Sequence, residues 1–239
     1  MARHPIARGA GSASAGFTLV EILVVLAILA ALMAMVATMV PYALKQKDKL
    51  RARSLVDNIG GTLEMLKNDA DQFGKYPPTR AWDLRIGKKM VGKDLGHTND
   101  LNVGIECIHF VINNPDIRID HAPSTEEGAI GNTDDDKFRT IRGNASDADA
   151  REYLDPWGNP LVYINCNDYK DPKGANQILV AGQNVTIHAK KLSSKEGGGY
   201  LFPNTFQLFS LGPDGVQDDD DAGSDENAKE GDDIVYGRQ

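Results

Sequence analysis

A chain of 239 residues with 41% hydrophobic and 25% charged side chains has an ordinary globular composition, which excludes a wholly disordered, collagen-like or many-span membrane protein. Its 34 acids against 26 Lys and Arg leave a net charge of −8; this disfavours a nucleic-acid surface and makes cations the more natural partners. The averages conceal segregation: the nineteen residues 22–40 carry no charge, whereas residues 214–233 hold ten acids against the single Lys229.

Residues 1–16 carry Arg3 and Arg8, no acid and a run of small residues ending in Gly16, the composition of a targeting leader rather than of folded structure. The uncharged run that follows would span ~28 Å as a helix, close to the ~30 Å hydrocarbon core of a bilayer. A conventional secretory signal fits poorly, because its cleavage site would fall near Ala37, where Met35 stands in place of a small residue. Glu21 is the odd residue, placed directly against the apolar run. A carboxylate at membrane depth costs at least ~2.5–3.5 kcal/mol, so it either snorkels to the headgroups or has a partner.

The stretch Gly16-Phe17-Thr18-Leu19-Val20-Glu21, followed by the apolar residues 22–29, resembles the leader and helix start of type IV pilins and type II secretion pseudopilins. The resemblance implies cleavage after Gly16 by a prepilin peptidase, N-methylation of the new terminus Phe17, and pairing of Glu21 with the N-terminal ammonium of a neighbouring subunit. The physics is compatible, since two opposite charges in a low dielectric best satisfy each other. Lys45, Lys47, Lys49, Arg51 and Arg53 follow the apolar run, and by charge count alone they would hold the C-terminal region in the cytoplasm. The family topology is the opposite: single-pass in the bacterial inner membrane, with the C-terminal domain periplasmic. Large domains cross largely regardless of flanking charge.

The helical period continues through Leu55, Ile59, Leu63, Leu66, Ala70 and Phe73, spaced as one buried face. This predicts one helix from Phe17 to about Phe73, kinked at Pro41, softened at Gly60-Gly61 and closed at Gly74 before Tyr76-Pro77-Pro78. Five regions follow: a leader at 1–16, an apolar membrane and assembly helix at 17–44, its amphipathic continuation at 45–75, a variable insertion at 76–154, and a β-region with an acidic loop at 155–239. Within the insertion, residues 103–113 read as a short helix or strand and 121–150 as a surface excursion. Asp134-Asp135-Asp136 reads as a solvated turn, lacking the glycine and distal glutamate of an EF-hand. Cys107 and His109 read as core packing rather than a nucleophilic dyad or metal site, and Cys107 and Cys166 allow one disulfide at most.

Short β-rich runs at 161–165, 177–181, 185–190 and 205–211 predict antiparallel strands, with Gly182-Gln183-Asn184 as a hairpin connection. Asp155-Pro156-Trp157-Gly158-Asn159-Pro160 is a dense turn in which Trp157 can plug the sheet against the helix. This turn, Phe209-Ser210-Leu211-Gly212-Pro213-Asp214-Gly215 and the terminal Asp232-Asp233-Ile234 resemble the major (GspG-like) pseudopilin subfamily of type II secretion. The insertion, the extra hairpin at 177–190 and the long acidic loop depart from that pattern. Ten acids in a folded loop repel one another, and calcium, which takes six to eight oxygens, would relieve them. The resemblance implies a calcium site there, with Asp214 and Asp232 as side-chain ligands, the Leu211 carbonyl, and Asp218, Asp219 and Asp233 as further candidates.

The expected fold is therefore α+β and type IV pilin-like, a long N-terminal helix packed on a small antiparallel sheet. The expected role is structural and non-enzymatic: a homopolymer assembled into a periplasmic pseudopilus with minor pseudopilins, an inner-membrane platform protein and an assembly ATPase. Two rival classes stay open. One is a pilin for adhesion, motility or DNA uptake, which often staples its C-terminal region with a cysteine pair; the other is a single-span membrane protein bearing an enzyme or binding domain, for which no catalytic constellation is visible.

Overall fold

The computed structural model describes residues 17–69, 74–80, 85–86, 89–90, 95–97, 99–114, 123, 128–140, 148–170, 177–192, 197–218 and 232–237. The chain divides into two compact units, Met1–Gln46 and Lys47–Gln239. Helix α1, Leu19–Asn68, contains Pro41 and is not interrupted there. Its first half is exposed on every side, with Leu26 60% and Met33 71% accessible, and it is long and apolar enough to cross a membrane. An apolar helix exposed all round is stable only with lipid or other protein against it.

The second half of α1 buries Ala52, Leu55, Val56, Ile59, Leu63 and Leu66, the three- and four-residue spacing of one face. The helix ends at Asn68, earlier than the expected Phe73, and Ala70 and Phe73 lie outside the described residues. Gly74, at φ 61°, donates its amide to the Asp69 carbonyl at 3.0 Å. Gly60 was expected to be a soft point, but it is a packing site. A Cβ there would come within 2.3 Å of the Tyr236 ring.

Short strands β1 (Arg85–Ile86), β2 (Lys89–Met90) and β3 (Leu95–His97) precede helix α2, Val103–Ile112. Next come β4 (Ile130–Gly131), β5 (Lys137–Thr140), β6 (Ala148–Asp149), β7 (Glu152–Tyr153) and β8 (Val162–Asn165). The hairpin strands β9 (Gln177–Val180) and β10 (Gln183–Thr186) follow, then β11 (Phe206–Ser210) and β12 (Ile234–Val235). The central sheet has the order β12-β11-β8 and is antiparallel, with Leu208 opposite Tyr163 and Phe209 opposite both Val162 and Val235. Every residue of β8 and β11 is buried, because the sheet is covered on both faces.

The strand period of two divides the core. Tyr163, Phe206, Leu208 and Ile234 face a cluster containing the α1 and α2 side chains. Val162, Ile164, Phe209 and Val235 face a second cluster with Ile178, Ile187 and Leu201. Cys107 belongs to the first cluster and Cys166 packs against the second, so the sheet separates them and no disulfide joins them. The segment after α1 is tied to the same sheet. The Pro77 carbonyl accepts from Tyr163 Oη at 2.6 Å and Asn165 Nδ2 at 2.8 Å, and Thr79 Oγ1 accepts from the Asn165 amide at 2.9 Å.

Two details differ from the expected β-region. The β9–β10 turn is Ala181-Gly182, both at positive φ (49° and 78°), while Gln183 and Asn184 already pair with Val180 and Leu179. Two positive φ values in a two-residue loop match the right-handed twist of a hairpin, which is why the turn opens one residue earlier and closes two residues earlier than expected. Within the stretch expected as a surface excursion, Phe138 and Ala150 are buried in the main core, and α2 lies against β7 and β8. In the 134–136 turn only part is solvated: Asp135 is exposed at φ 55°, whereas Asp136 is 1% exposed, its amide and carbonyl both held by the Asn132 side chain.

His109, on α2, packs against the Tyr153 ring with centroids 5.3 Å apart, and burial, with Arg151 nearby, pushes its pKa down to about 4. A histidine depressed from ~6.5 binds a proton in the unfolded chain before it does in the fold, so stability is complete above that value and falls as pH drops toward 4. Allowing for partial exposure, the loss is on the order of 2 kcal/mol. Denaturant melts of wild type and His109→Gln at pH 7 and pH 4.5 check this. The wild type should lose that much more than the variant, and equal losses would contradict it.

Candidate functional site

Two places carry unusual chemistry. The first is the start of α1. Thr18 precedes the helix, and its hydroxyl accepts from the Glu21 amide at 3.2 Å. The Glu21 carboxylate in turn accepts from the Thr18 amide at 2.8 Å and from the Thr18 hydroxyl at 2.9 Å. This reciprocal pair is a capping box, which satisfies amides that the first helical turn leaves without partners and places a negative charge at the positive end of the helix dipole. Its signal in the sequence is Thr18-Leu19-Val20-Glu21, the T-x-x-E pattern that announces a capping box. Phe17 is 81% exposed, and Gly16 lies outside the described residues. Glu21 is thus held at a fixed position one turn from Phe17, with its charge uncompensated by any cation among the described residues.

The second place is the C-terminal loop. Its entrance is set by the 155–160 turn: Asp155 Oδ1 accepts from the amides of Trp157 (3.0 Å) and Asn159 (2.9 Å), and Oδ2 from Ser210 Oγ (2.7 Å) at the end of β11. Asn159 Nδ2 then donates to the Gly212 carbonyl at 3.1 Å, which fixes the chain as it leaves the sheet. Gly212 has φ 72°, and a Cβ there would lie 2.7 Å from Asp232 Oδ2. Only glycine leaves room for that carboxylate.

Asp218, Asp232 and Asp233 each place an oxygen within 4.8 Å of the others. The Asp218 amide donates to Asp233 Oδ2 at 3.0 Å and the Asp233 amide to Asp218 Oδ2 at 3.2 Å, so the two strands of the loop clasp each other. Lys190 Nζ meets Asp233 Oδ2 at 2.6 Å, both side chains being almost wholly buried. The other oxygen, Asp233 Oδ1, is buried with no hydrogen-bond partner. Burial pushes the Asp233 pKa up to about 6 against the pull of Lys190; Asp232 is also raised, by burial first and then by Asp214 and Asp218. Asp214 is exposed and its Oδ1 caps the Val216 amide at 2.9 Å. Leu211 is fully buried, and Asp219 lies outside the described residues. The structure therefore brings together Asp218, Asp232 and Asp233, with Asp214 near enough to raise Asp232. Lys190 was the participant that sequence reasoning missed; a lysine beside a β-run gives no sign that it will be buried opposite an acid.

Residues 11–37 match the family described as the prokaryotic N-terminal methylation motif. No curated protein and no solved structure matches the chain. The match coincides with the capped, exposed apolar helix start, and together they support a type IV pilin-like protein anchored in a membrane by its N-terminal helix.

Proposed function

We propose that this chain is a structural subunit that polymerises, through the first half of α1, into the pseudopilus of a type II protein secretion system. The observation that carries the reading is the helix start: a motif for N-terminal methylation, a glutamate held one turn from Phe17, and an apolar helix exposed all round. Cleavage after Gly16 would put an ammonium on Phe17, and Glu21 of a neighbouring copy would compensate it. Because lipid tails are as apolar as leucine, packing and this charge pair would set the register between copies. The C-terminal domain would stand in the periplasm, with prepilin peptidase, minor pseudopilins, a platform protein and an assembly ATPase as its partners. The pseudopilus reading is favoured over an adhesive pilin by the absence of a cysteine pair after Cys166 and by the acidic loop. Deleting the gene should abolish export of folded proteins across the outer membrane and leave surface pili intact. Lost pili with unchanged export would favour the pilin.

The C-terminal loop fits calcium by its oxygen-only donors and by the room that Gly212 leaves beside Asp232. Asp218, Asp232 and the open oxygen of Asp233 would hold the ion with Asp214, the Leu211 carbonyl and Asp219 as further donors, while Lys190 compensates the remaining charge. Calcium at a hundredfold excess over its Kd should protect the loop by about 2.7 kcal/mol. Hydrogen exchange of full-length protein in detergent should therefore slow by about a hundredfold at 215–218 and 232–236 relative to chelator, and Asp232→Asn should remove that protection. Exchange indifferent to calcium at these amides would sink the site.

A further inference from the structure

A second acidic group lies far from the C-terminal loop in sequence, on elements of the insertion. Glu106 comes from the first turns of α2, Glu152 from β7, and Asp134 from the turn between β4 and β5. One carboxylate oxygen from each lies within 4.8 Å of the other two. That separation is the span of two calcium–oxygen bonds of ~2.4 Å, so a single ion can reach all three. Glu106 and Glu152 are 0% exposed.

The orientation of Glu152 is what points to a ligand. Its Oε1 is pinned by the Thr133 amide and by Asn102 Nδ2 at 3.4 Å. Asn102 is itself fixed, accepting from the Leu179 amide at 3.0 Å and donating to Thr133 Oγ1 at 3.1 Å. Oε2, the other oxygen of this cluster carboxylate, is shut off from solvent and has no hydrogen-bond partner. Both Asp134 oxygens are likewise shielded from solvent. Burial raises the Glu152 pKa first of all, and among the described residues Asp134 and Asp136, of the same sign, raise it further. A buried carboxylate oxygen without a donor costs several kcal/mol unless a cation or a proton meets it.

We propose that Glu106, Asp134 and Glu152 bind a hard divalent cation, calcium, at a site distinct from the C-terminal loop. The missing distal glutamate of the Asp134-Asp135-Asp136 turn is supplied through space by Glu152 and Glu106, not along the chain. The ion ties α2, the 132–136 turn and β7 together, so the insertion becomes a metal-braced extension of the core. The site stands independently of the pseudopilus reading and of the C-terminal calcium loop.

Equilibrium dialysis of calcium against the full-length chain in detergent tests it, in a background of Asp232→Asn that disables the other loop. That variant should retain one calcium per chain. Adding Glu152→Gln, which keeps the Thr133 contact, or Asp134→Asn, which keeps the size of the side chain and an acceptor oxygen, should weaken the remaining site at least tenfold. Hydrogen exchange at 133–136 should slow with calcium in the Asp232→Asn chain and not in either double variant. The proposal is overturned if the Asp232→Asn chain binds no calcium, as a proton shared among the carboxylates would produce, or if both added substitutions leave binding and exchange unchanged. Loss of the Asp232-dependent protection alone would count against the C-terminal site only.

Discussion

Gly104→Ala is expected to cost at least ~3 kcal/mol, although helix propensity alone predicts a gain of about 1 kcal/mol. Gly104 is the second residue of α2, where a Cβ would come 2.3 Å from the Tyr163 carbonyl oxygen and 3.3 Å from its carbon. Tyr163 is in β8, bonded into the central sheet opposite Leu208, and its side chain is tied to the Pro77 carbonyl. The obstacle is thus backbone, and it cannot swing aside as a flexible side chain would. A loss of that size is a large part of the ~5–15 kcal/mol that holds a typical domain together. Gly61→Ala is the control, since nothing lies within 4 Å of its Cβ. That change should stabilise by about 0.5–1 kcal/mol. Thermal melts of the two variants should move in opposite directions, and a Gly104→Ala melt at or above wild type would refute the helix-on-sheet packing.

On the proposed assembly, Glu21→Gln should leave the chain inserted in the membrane and its helix start intact, yet reduce fibre yield by at least ~10-fold, because a neighbour's ammonium in an apolar setting would lose its compensating charge. Glutamine still offers an oxygen to the Thr18 amide, so the capping box survives. Glu21→Ala removes both functions and should add about 1 kcal/mol of fraying at the first turn. Sheared-fibre yield and cross-linking in cells expressing each variant separate the roles. Assembly by Glu21→Gln at wild-type levels, with failure only of Glu21→Ala, would reduce Glu21 to a cap.

The parts legible in the sequence were those written in local pattern. The charge-free run before Pro41, the spacing of Leu55, Ile59, Leu63 and Leu66, and the β-runs around Tyr163 and Leu208 each carry their own period, and the structure places each as helix or strand. The capping box was equally local and went unread because Glu21 was weighed only as a membrane charge. Boundaries shifted where a tertiary contact or a turn's dihedrals decide, as at Asn68 and Ala181-Gly182. The ambiguous 103–113 stretch is a helix because one side must lie on β8, where Gly104 permits close approach. Charge partners were not legible at all. Lys190 with Asp233, and Glu106 with Glu152, meet only through the topology, and no spacing along the chain encodes them.

The central claim is that the chain matures at Gly16 and keeps its apolar helix as a membrane anchor and assembly element. Intact-mass measurement of the membrane-bound protein, with sequencing of its first residues, tests this most directly. The account predicts a chain that begins at Phe17 and is one methyl group heavier than the unmodified sequence, together with an uncut, unmethylated precursor when Gly16 is replaced by a larger residue. A wild-type protein that retains Met1, or one that begins after Ala37 without the apolar helix, would contradict it.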